Sequence, residues 1–279
     1  MEVAFWSNIG GKNGVTSNLA GISIMLTLEK RCPSVLFENH CHMMNLERML
    51  IRKRPSGLLK EEENYFYDHM GIDSLIKRIH SNQYSKETVL KSSLNFLNSG
   101  IYYIPQSKLM NKELFEYELN QVIHPFLEQL NDISPIIFID TAGSSNLSTK
   151  VILSKADLVV VNLSQDLQII DHFFENYSSL TSKAVYLLGN YNHNSKFNLL
   201  NIRRKYHISK EQIAVVPYNI AFRDSLISGD TISFLLHNQK CERKDENYYF
   251  IRELKKAANM IYKRLGELNP SPDQKALGA

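Results

Sequence analysis

Residues 8–17, NIGGKNGVTS, form a glycine-rich segment between an apolar strand and a helix. The strand is predicted at residues 2–6 (EVAFW), and apolar side chains recur at helical spacing over residues 15–31. Glycines beside a helix N-terminus let backbone N–H groups approach an anion closely, an arrangement that binds nucleotide phosphates. The segment therefore predicts a phosphate-binding loop that consists of Gly10, Gly11, Lys12, Asn13, Gly14, Val15, Thr16 and Ser17.

The loop departs from the usual phosphate-loop pattern, G-x-x-x-x-G-K-[ST], at two positions. When the pattern is aligned on Thr16, its last glycine is Gly14, but Val15 takes the lysine position and Ile9 the first glycine position. The sequence therefore predicts the shape of a phosphate loop but not the positive charge that makes such a loop an efficient phosphate site. Lys12 either turns into the site in place of the missing lysine or is an ordinary solvated loop residue.

The bulk composition fits one large α/β domain or two small ones. The chain has 279 residues, of which 43% are hydrophobic and 22% charged, enough for a sizeable core. Its net charge of +3 does not by itself indicate a nucleic-acid partner. Cys32, Cys41 and Cys241 are widely spaced with no C-x-x-C pair, so we expect a reducing cytoplasm. We find no secretory signal or membrane-spanning run, which leaves a peripheral position at the inner membrane face open.

Apolar runs alternate with amphipathic stretches along most of the chain, as is typical of a parallel sheet covered on both faces. We predict a single three-layer αβα domain with a mainly parallel twisted sheet over residues 1–268. Residues 52–70 are predicted as a surface excursion and residues 269–279 as a disordered tail. The predicted strands are residues 2–6, 34–38, 101–104, 135–140, 157–163, 183–189 and 212–217. The predicted helices include 112–130, 166–181, 196–206 and 246–268.

Polar residues collect where these strands end, at the edge of the sheet that carries the sites of such folds. Asp140 closes an apolar strand, and Asn190 follows another. An acid in that position holds a Mg²⁺-bound water, with Thr16 as a direct ligand of the metal. The alternative is a helix cap or a turn acid, and the upstream glycine loop favours the nucleotide site.

The segment 38–47, ENHCHMMNLE, places His40, Cys41 and His42 in consecutive positions after the second strand. Three consecutive ligands point in different directions, and no C-x-x-C or H-x-x-x-H partner accompanies them. We therefore do not expect these three residues to form a metal site.

Two basic runs and the last helix each allow two interpretations. The runs at 52–54 and 203–205 fit either contacts with DNA or acidic lipid, or ordinary solvated faces, which are the commoner case. The helix at 246–268 repeats apolar residues with cations between them. It is interpreted as packing on the core, with a membrane-surface helix as the alternative.

Taken in order, the segments resemble the ParA/MinD family of deviant P-loop (SIMIBI-class) ATPases over about residues 2–237. Asn45-Leu46-Glu47 match the end of the switch segment of MinD-like members, and FIDTAG at 138–143 is similar to their D-T/S-P/A segment. The other similar segments are residues 8–17, 101–107, 154–166, 187–192 and 214–230.

The resemblance implies that ATP or ADP binds with Mg²⁺ and that a face-to-face homodimer forms. The resemblance assigns the binding of adenine to Asn190. It places Pro217, Tyr218 and Asn219 in the loop that packs beside the base. Family members position plasmids, division machinery, pili or secretion systems on DNA or membrane, together with protein partners. The pilus-associated, TadZ-like branch tolerates atypical loops, so a pilus or secretion machine is the expected setting.

The departures from the family pattern make this chain a degenerate member. Gly10 stands at the signature lysine, Val15 at the ordinary lysine, and His40 at the acid that assists hydrolysis, with Glu38 at the first acid. Charge contacts to the transferring phosphate supply the main electrostatic stabilisation in phosphoryl transfer. We therefore expect weak or absent hydrolysis.

Three other functions are weighed against the degenerate positioning factor. The first is an active ATPase that uses Lys12 as a substitute lysine. The second is a DNA-binding partition protein that uses Arg203 and Arg204. An iron–sulfur reductase is not expected, because Cys41 and Cys241 do not align with cluster ligands.

Overall fold

The computed structural model describes residues 1–52, 70–83, 85–98, 100–106, 111–143 and 146–268. Lys53 and Arg54 of the first basic run, most of the 52–70 excursion, Ser107 and the 269–279 tail lie outside the described residues. In the described part no helix is long and apolar enough to cross a membrane.

Eight strands form one sheet in the order β3-β4-β2-β5-β1-β6-β7-β8. The strands are β1 (Glu2–Trp6), β2 (Ser34–Glu38), β3 (Leu94–Phe96), β4 (Ile101–Tyr103), β5 (Ile136–Asp140), β6 (Leu158–Leu163), β7 (Ala184–Tyr191) and β8 (Ile213–Pro217). All neighbours are parallel except β3 and β4. The single α/β domain and its mainly parallel sheet are confirmed.

Helices cover both faces of the sheet. They are α1 (Val15–Lys30), α2 (Leu46–Leu50), α3 (Gly71–His80), α4 (Lys86–Lys91), α5 (Lys112–Asn131), α6 (Leu147–Lys155), α7 (Leu167–Asn176), α8 (Leu199–Tyr206), α9 (Ile220–Ser228), α10 (Thr231–Asn238) and α11 (Tyr248–Leu268). Short 3₁₀ turns lie at Ser178–Lys183 and Lys210–Gln212.

Several element bounds differ from the prediction for local reasons. The helix predicted at 166–181 ends at Asn176, because Tyr177 leaves helical geometry and a 3₁₀ turn follows. The helix predicted at 196–206 begins at Leu199, because the side chain of Asn198 caps it by accepting from the Asn201 N–H at 3.1 Å. Strand β3 was not predicted, because it has three residues and pairs antiparallel at the edge.

Alternation along the strands divides the core into two layers. In β1, Val3 and Phe5 pack with α1 and α11 on one face. Ala4 and Trp6 pack with α5 and α7 on the other. Because β1 pairs with β5 and β6 near the centre of the sheet, the loop that follows it opens onto the middle of the carboxyl edge.

Helix α11 is a core helix. Its residues Ile251, Leu254, Ala258 and Ile261 are buried and join the core layer that contains α1 and β8. The core-packing interpretation of the last helix is confirmed.

The two basic runs are partly neutralised where the structure describes them. Arg52 donates two hydrogen bonds to Asp230, each 2.8 Å long. Lys205 lies 3.2 Å from Asp171. Arg204 is exposed and Arg203 half-buried.

Candidate functional site: a cleft at the carboxyl edge of the sheet

The glycine loop lies where the sequence predicts it, between β1 and α1. Gly14 caps α1 in the left-handed conformation at φ 67°, and Gly11 has φ 77°. These values favour glycine because other residues are strained there. The first turn of α1 therefore presents backbone N–H groups toward the loop without a side-chain cap.

Asparagine side chains anchor the loop from below. Asn13 is 1% exposed, and its amide donates to Ser7 Oγ at 2.7 Å and to the Asn162 carbonyl at 3.2 Å. Asn18 donates to Asn162 Oδ1 at 2.8 Å. The Asn13 side chain thus holds the loop onto β6 and does not face the cleft.

The other predicted loop residues line one cleft. Gly10, Gly11, Lys12 and Gly14 line it together with Val15, Thr16 and Ser17. Lys12 is exposed and makes no hydrogen bond or ion pair within the described residues. The loop is therefore shaped for an anion, and Lys12 supplies its nearest unpaired cation.

A buried cluster of titratable side chains lies beside the loop. His40 Nε2 is 3.2 Å from Asp140 Oδ2, and the two side chains are 5% and 1% exposed. The contact is an ion pair and not an aligned hydrogen bond, because Oδ2 has no hydrogen-bond partner among the described residues. Glu38 accepts from the Leu46 N–H at 2.9 Å and from the Tyr103 hydroxyl at 2.8 Å. Ligand atoms of Glu38, His40 and Asp140 all lie within 4.8 Å of one another.

Burial and the charges of neighbouring side chains shift the pKa values of Glu38, His40 and Tyr103. Burial raises the pKa of Glu38 to about 7, while His40 opposes the rise and Asp140 adds to it. Burial disfavours charged His40, but Asp140 and Glu38 outweigh burial, so the pKa of His40 is raised. Burial and Glu38 hold the pKa of Tyr103 well above its ordinary value.

The predicted magnesium role of Asp140 is at odds with this arrangement. Thr16 and Asp140 line the same cleft, as a shared metal would require. The Asp140 carboxylate, however, already faces an imidazole. While His40 keeps this position, the residues present do not fit a metal-bound water held by Oδ2.

The expectation that His40, Cys41 and His42 point in different directions is wrong for the two histidines, whose rings lie against each other. His42 stacks on His40, with ring centroids 4.3 Å apart. Cys41 packs against the core layer on the α5 and α7 side, and burial raises the pKa of its thiol to about 12.

The residues predicted to contact the base form the far wall of the cleft. Asn190, Pro217, Tyr218 and Asn219 all line it. Asn190 is exposed in the left-handed conformation at φ 49°. The side chain of Asn219 is engaged, because it caps α9 and donates to Asn247 Oδ1 at 2.9 Å. Tyr218 is 51% exposed and provides the free aromatic surface.

The cleft as a whole has a volume of about 910 Å³, within the range of nucleotide-sized pockets. Every predicted site residue lines it except Asn13. Sequence reasoning missed Arg223, which also lines the cleft and donates to the Tyr218 hydroxyl at 3.3 Å. Its position in a predicted base loop was the only available signal.

Solved structures with the same architecture have low sequence identity to this chain. The ParA family ATPase from Chlorobium tepidum TLS has a TM-score of 0.67 and 15% identity, over 92% of this chain and 98% of that chain. MinD from Pyrococcus horikoshii OT3, solved with Mg-ADP, has a TM-score of 0.67 and 13% identity, over 96% of this chain and 98% of that chain. MinD in the Aquifex aeolicus MinC:MinD complex has a TM-score of 0.62 and 14% identity, over 94% of this chain and 96% of that chain. The chain has the MinD/ParA fold. No family model and no curated protein sequence matches it.

Within this MinD/ParA fold the cleft combines familiar and unfamiliar parts. The loop backbone, Thr16 and Asn190 line the same cleft. The His40–Asp140 pair and the Asn13–Asn162 anchor join residues about 100 or more positions apart, so no local sequence signal predicts them.

Proposed function

We propose that this chain binds adenine nucleotide in the carboxyl-edge cleft and acts as a dimerising positioning or assembly factor with weak or absent ATP hydrolysis. One observation carries the proposal: a single cleft holds the glycine loop, Thr16, Asn190 and Tyr218. Phosphates would lie on the loop backbone and the base between Asn190 and Tyr218. The Mg-ADP bound to MinD from Pyrococcus horikoshii OT3 supports the ligand class.

Slow hydrolysis follows from the charges of the cleft. Val15 and Gly10 line it where the resemblance expects lysines, and His40 is paired with Asp140 rather than free to orient a water. Removing a donor that stabilises developing charge costs about 10²–10³ in rate in well-studied enzymes. We expect the nucleotide-bound state to last far longer than one catalytic cycle of an active ATPase.

The assembly role is proposed from the fold and from the resemblance. MinD was solved in complex with MinC from Aquifex aeolicus, so the fold supports a protein partner. We propose a homodimer that recruits a component of a pilus or secretion machine, because atypical loops are tolerated in that branch of the resembling family.

Calorimetry with ATP and ADP tests the binding, and the mass in solution tests the dimer. We expect ATP to bind with one site per chain and to shift the protein from monomer to dimer. Tyr218→Ala should weaken binding because it removes the exposed base wall. Tyr262→Ala, at an exposed tyrosine on α11, is the control. Absence of binding at millimolar ATP would refute the proposal.

A second candidate is an active ATPase with Lys12 as its phosphate lysine. It is favoured by the position of Lys12, which lines the cleft with an unpaired ammonium group among the described residues. Phosphate release that is lost in Lys12→Ala and kept in Lys210→Ala would support it. Release equal to the buffer blank in the unaltered protein would exclude it.

A further inference from the structure

His40 takes the position beside Asp140 at which a metal-bound water would have to lie. His40 Nε2 is 3.2 Å from Asp140 Oδ2, and both side chains are buried. The pair lies at the wall of the cleft that also contains Thr16. A metal-bound water at Oδ2 would have to displace the imidazole.

The imidazole is held in place from behind. The His42 N–H and the Gln106 side-chain amide both face His40 Nδ1, each at 3.4 Å. The Gln106 amide also donates to the His40 carbonyl. The His42 ring stacks on the other side. Because the His42 N–H faces Nδ1, the neutral ring carries its proton on Nε2, the nitrogen that lies beside Asp140.

The second carboxylate of the cluster is also occupied. Both oxygens of Glu38 already accept hydrogen bonds, from the Leu46 N–H and the Tyr103 hydroxyl. A metal at Glu38 would therefore share these oxygens with the Leu46 N–H and the Tyr103 hydroxyl.

We propose that this chain binds nucleotide without a divalent cation, because the imidazole of His40 lies 3.2 Å from the carboxylate oxygen that would otherwise hold the water shell of the metal. This inference rests on the proposed function. The phosphate charge is then met by the loop backbone and by Lys12 and Arg223, which line the cleft.

The test is ATP affinity, measured by calorimetry on the full chain in millimolar Mg²⁺ and in excess EDTA. We expect the two dissociation constants to agree within about twofold, a free-energy difference below about 0.5 kcal/mol. In His40→Ala the Asp140 carboxylate is freed, so Mg²⁺ should tighten ATP binding by about tenfold or more. His124→Ala, at an exposed histidine on α5 that does not line the cleft, is the matched control and should remain independent of Mg²⁺.

His40→Asn serves as a second variant if His40→Ala does not fold, since it keeps a hydrogen-bond donor and most of the volume. It should stay independent of Mg²⁺. ATP binding by the unaltered chain that requires Mg²⁺ would overturn the inference and leave the proposed function intact. Absence of ATP binding under both conditions would overturn the proposed function as well. Binding of Zn²⁺ or Mn²⁺ to the nucleotide-free chain that is lost in His40→Ala would make the Glu38–His40–Asp140 cluster a metal site and overturn the inference.

Discussion

At the scale of single residues, the chemistry of the cleft depends on a few side chains. Val15 provides no charge where a phosphate lysine is expected, and His40 provides a donor where an acid is expected. A buried carboxylate requires a partner. His40 supplies a charged partner to Asp140 in this cluster.

Glu38 gives a prediction of pH dependence. Its pKa is raised to about 7 in the fold, so the folded state holds a proton that the unfolded chain releases near pH 4.5. This contribution to stability is complete below the unfolded pKa and is lost as the pH rises through about 7. The raised pKa of His40 acts in the same direction. We expect the free energy of unfolding to be about 1–3 kcal/mol smaller at pH 8 than at pH 5.5.

Chemical denaturation at the two pH values measures the effect. Glu38→Gln keeps the volume and removes the titration, so its pH dependence should be clearly weaker. Glu118→Gln, at a more exposed acid on α5, is the control and should behave as the unaltered chain does. A pH dependence that is unchanged in Glu38→Gln would contradict the prediction.

At the scale of elements, the loop depends on β6. Asn162 lies in the interior of that strand with no exposed surface and contacts both Asn13 and Asn18. A buried polar group keeps its place only when its hydrogen bonds are made. The asparagine contacts therefore fix the loop in its shape before any ligand arrives.

Asn162→Leu tests the preformed loop. The change leaves the amide of Asn18 without its side-chain acceptor, so we expect a loss of about 1–3 kcal/mol in the free energy of unfolding. Hydrogen exchange should become faster at residues 10–18 while the β2–β5 pair stays protected. Asn176→Leu, at an exposed position at the end of α7, is the control. Unchanged exchange in the loop would contradict the anchoring role.

At the scale of the whole molecule, α11 closes the sheet beside β8. Ile261 is fully buried, whereas the neighbouring Tyr262 is 40% exposed. Ile261→Ala should cost about 2–5 kcal/mol, and Tyr262→Ala should cost much less. Thermal or chemical unfolding measures both. Equal, small effects would indicate a helix that detaches from the core, as a membrane-surface helix would.

Local patterns predicted most of this architecture, and long-range pairing accounts for the rest. Continuous apolar runs predicted β1, β2, β5, β6 and β8, because buried parallel strands need such runs. Strand β3 escaped prediction because an edge strand of three residues carries no pattern. The burial of Asn13 was not predicted, because hydrogen bonds to Ser7 and Asn162 set the direction of its side chain. No local sequence rule connects these partners to the loop.

The glycine loop lies close to the segment after β5, and this contact leaves less space for a side chain at Gly143 than at Gly10. A methyl group at Gly143 would lie 3.1 Å from the Gly10 nitrogen and 3.2 Å from the Ser7 carbonyl oxygen, whereas one at Gly10 would meet nothing within 4 Å. Among functional variants, position 143 should admit little besides glycine, while position 10 tolerates longer side chains. Position 10 therefore has space for a β-carbon, so a clash at that atom does not explain the glycine there.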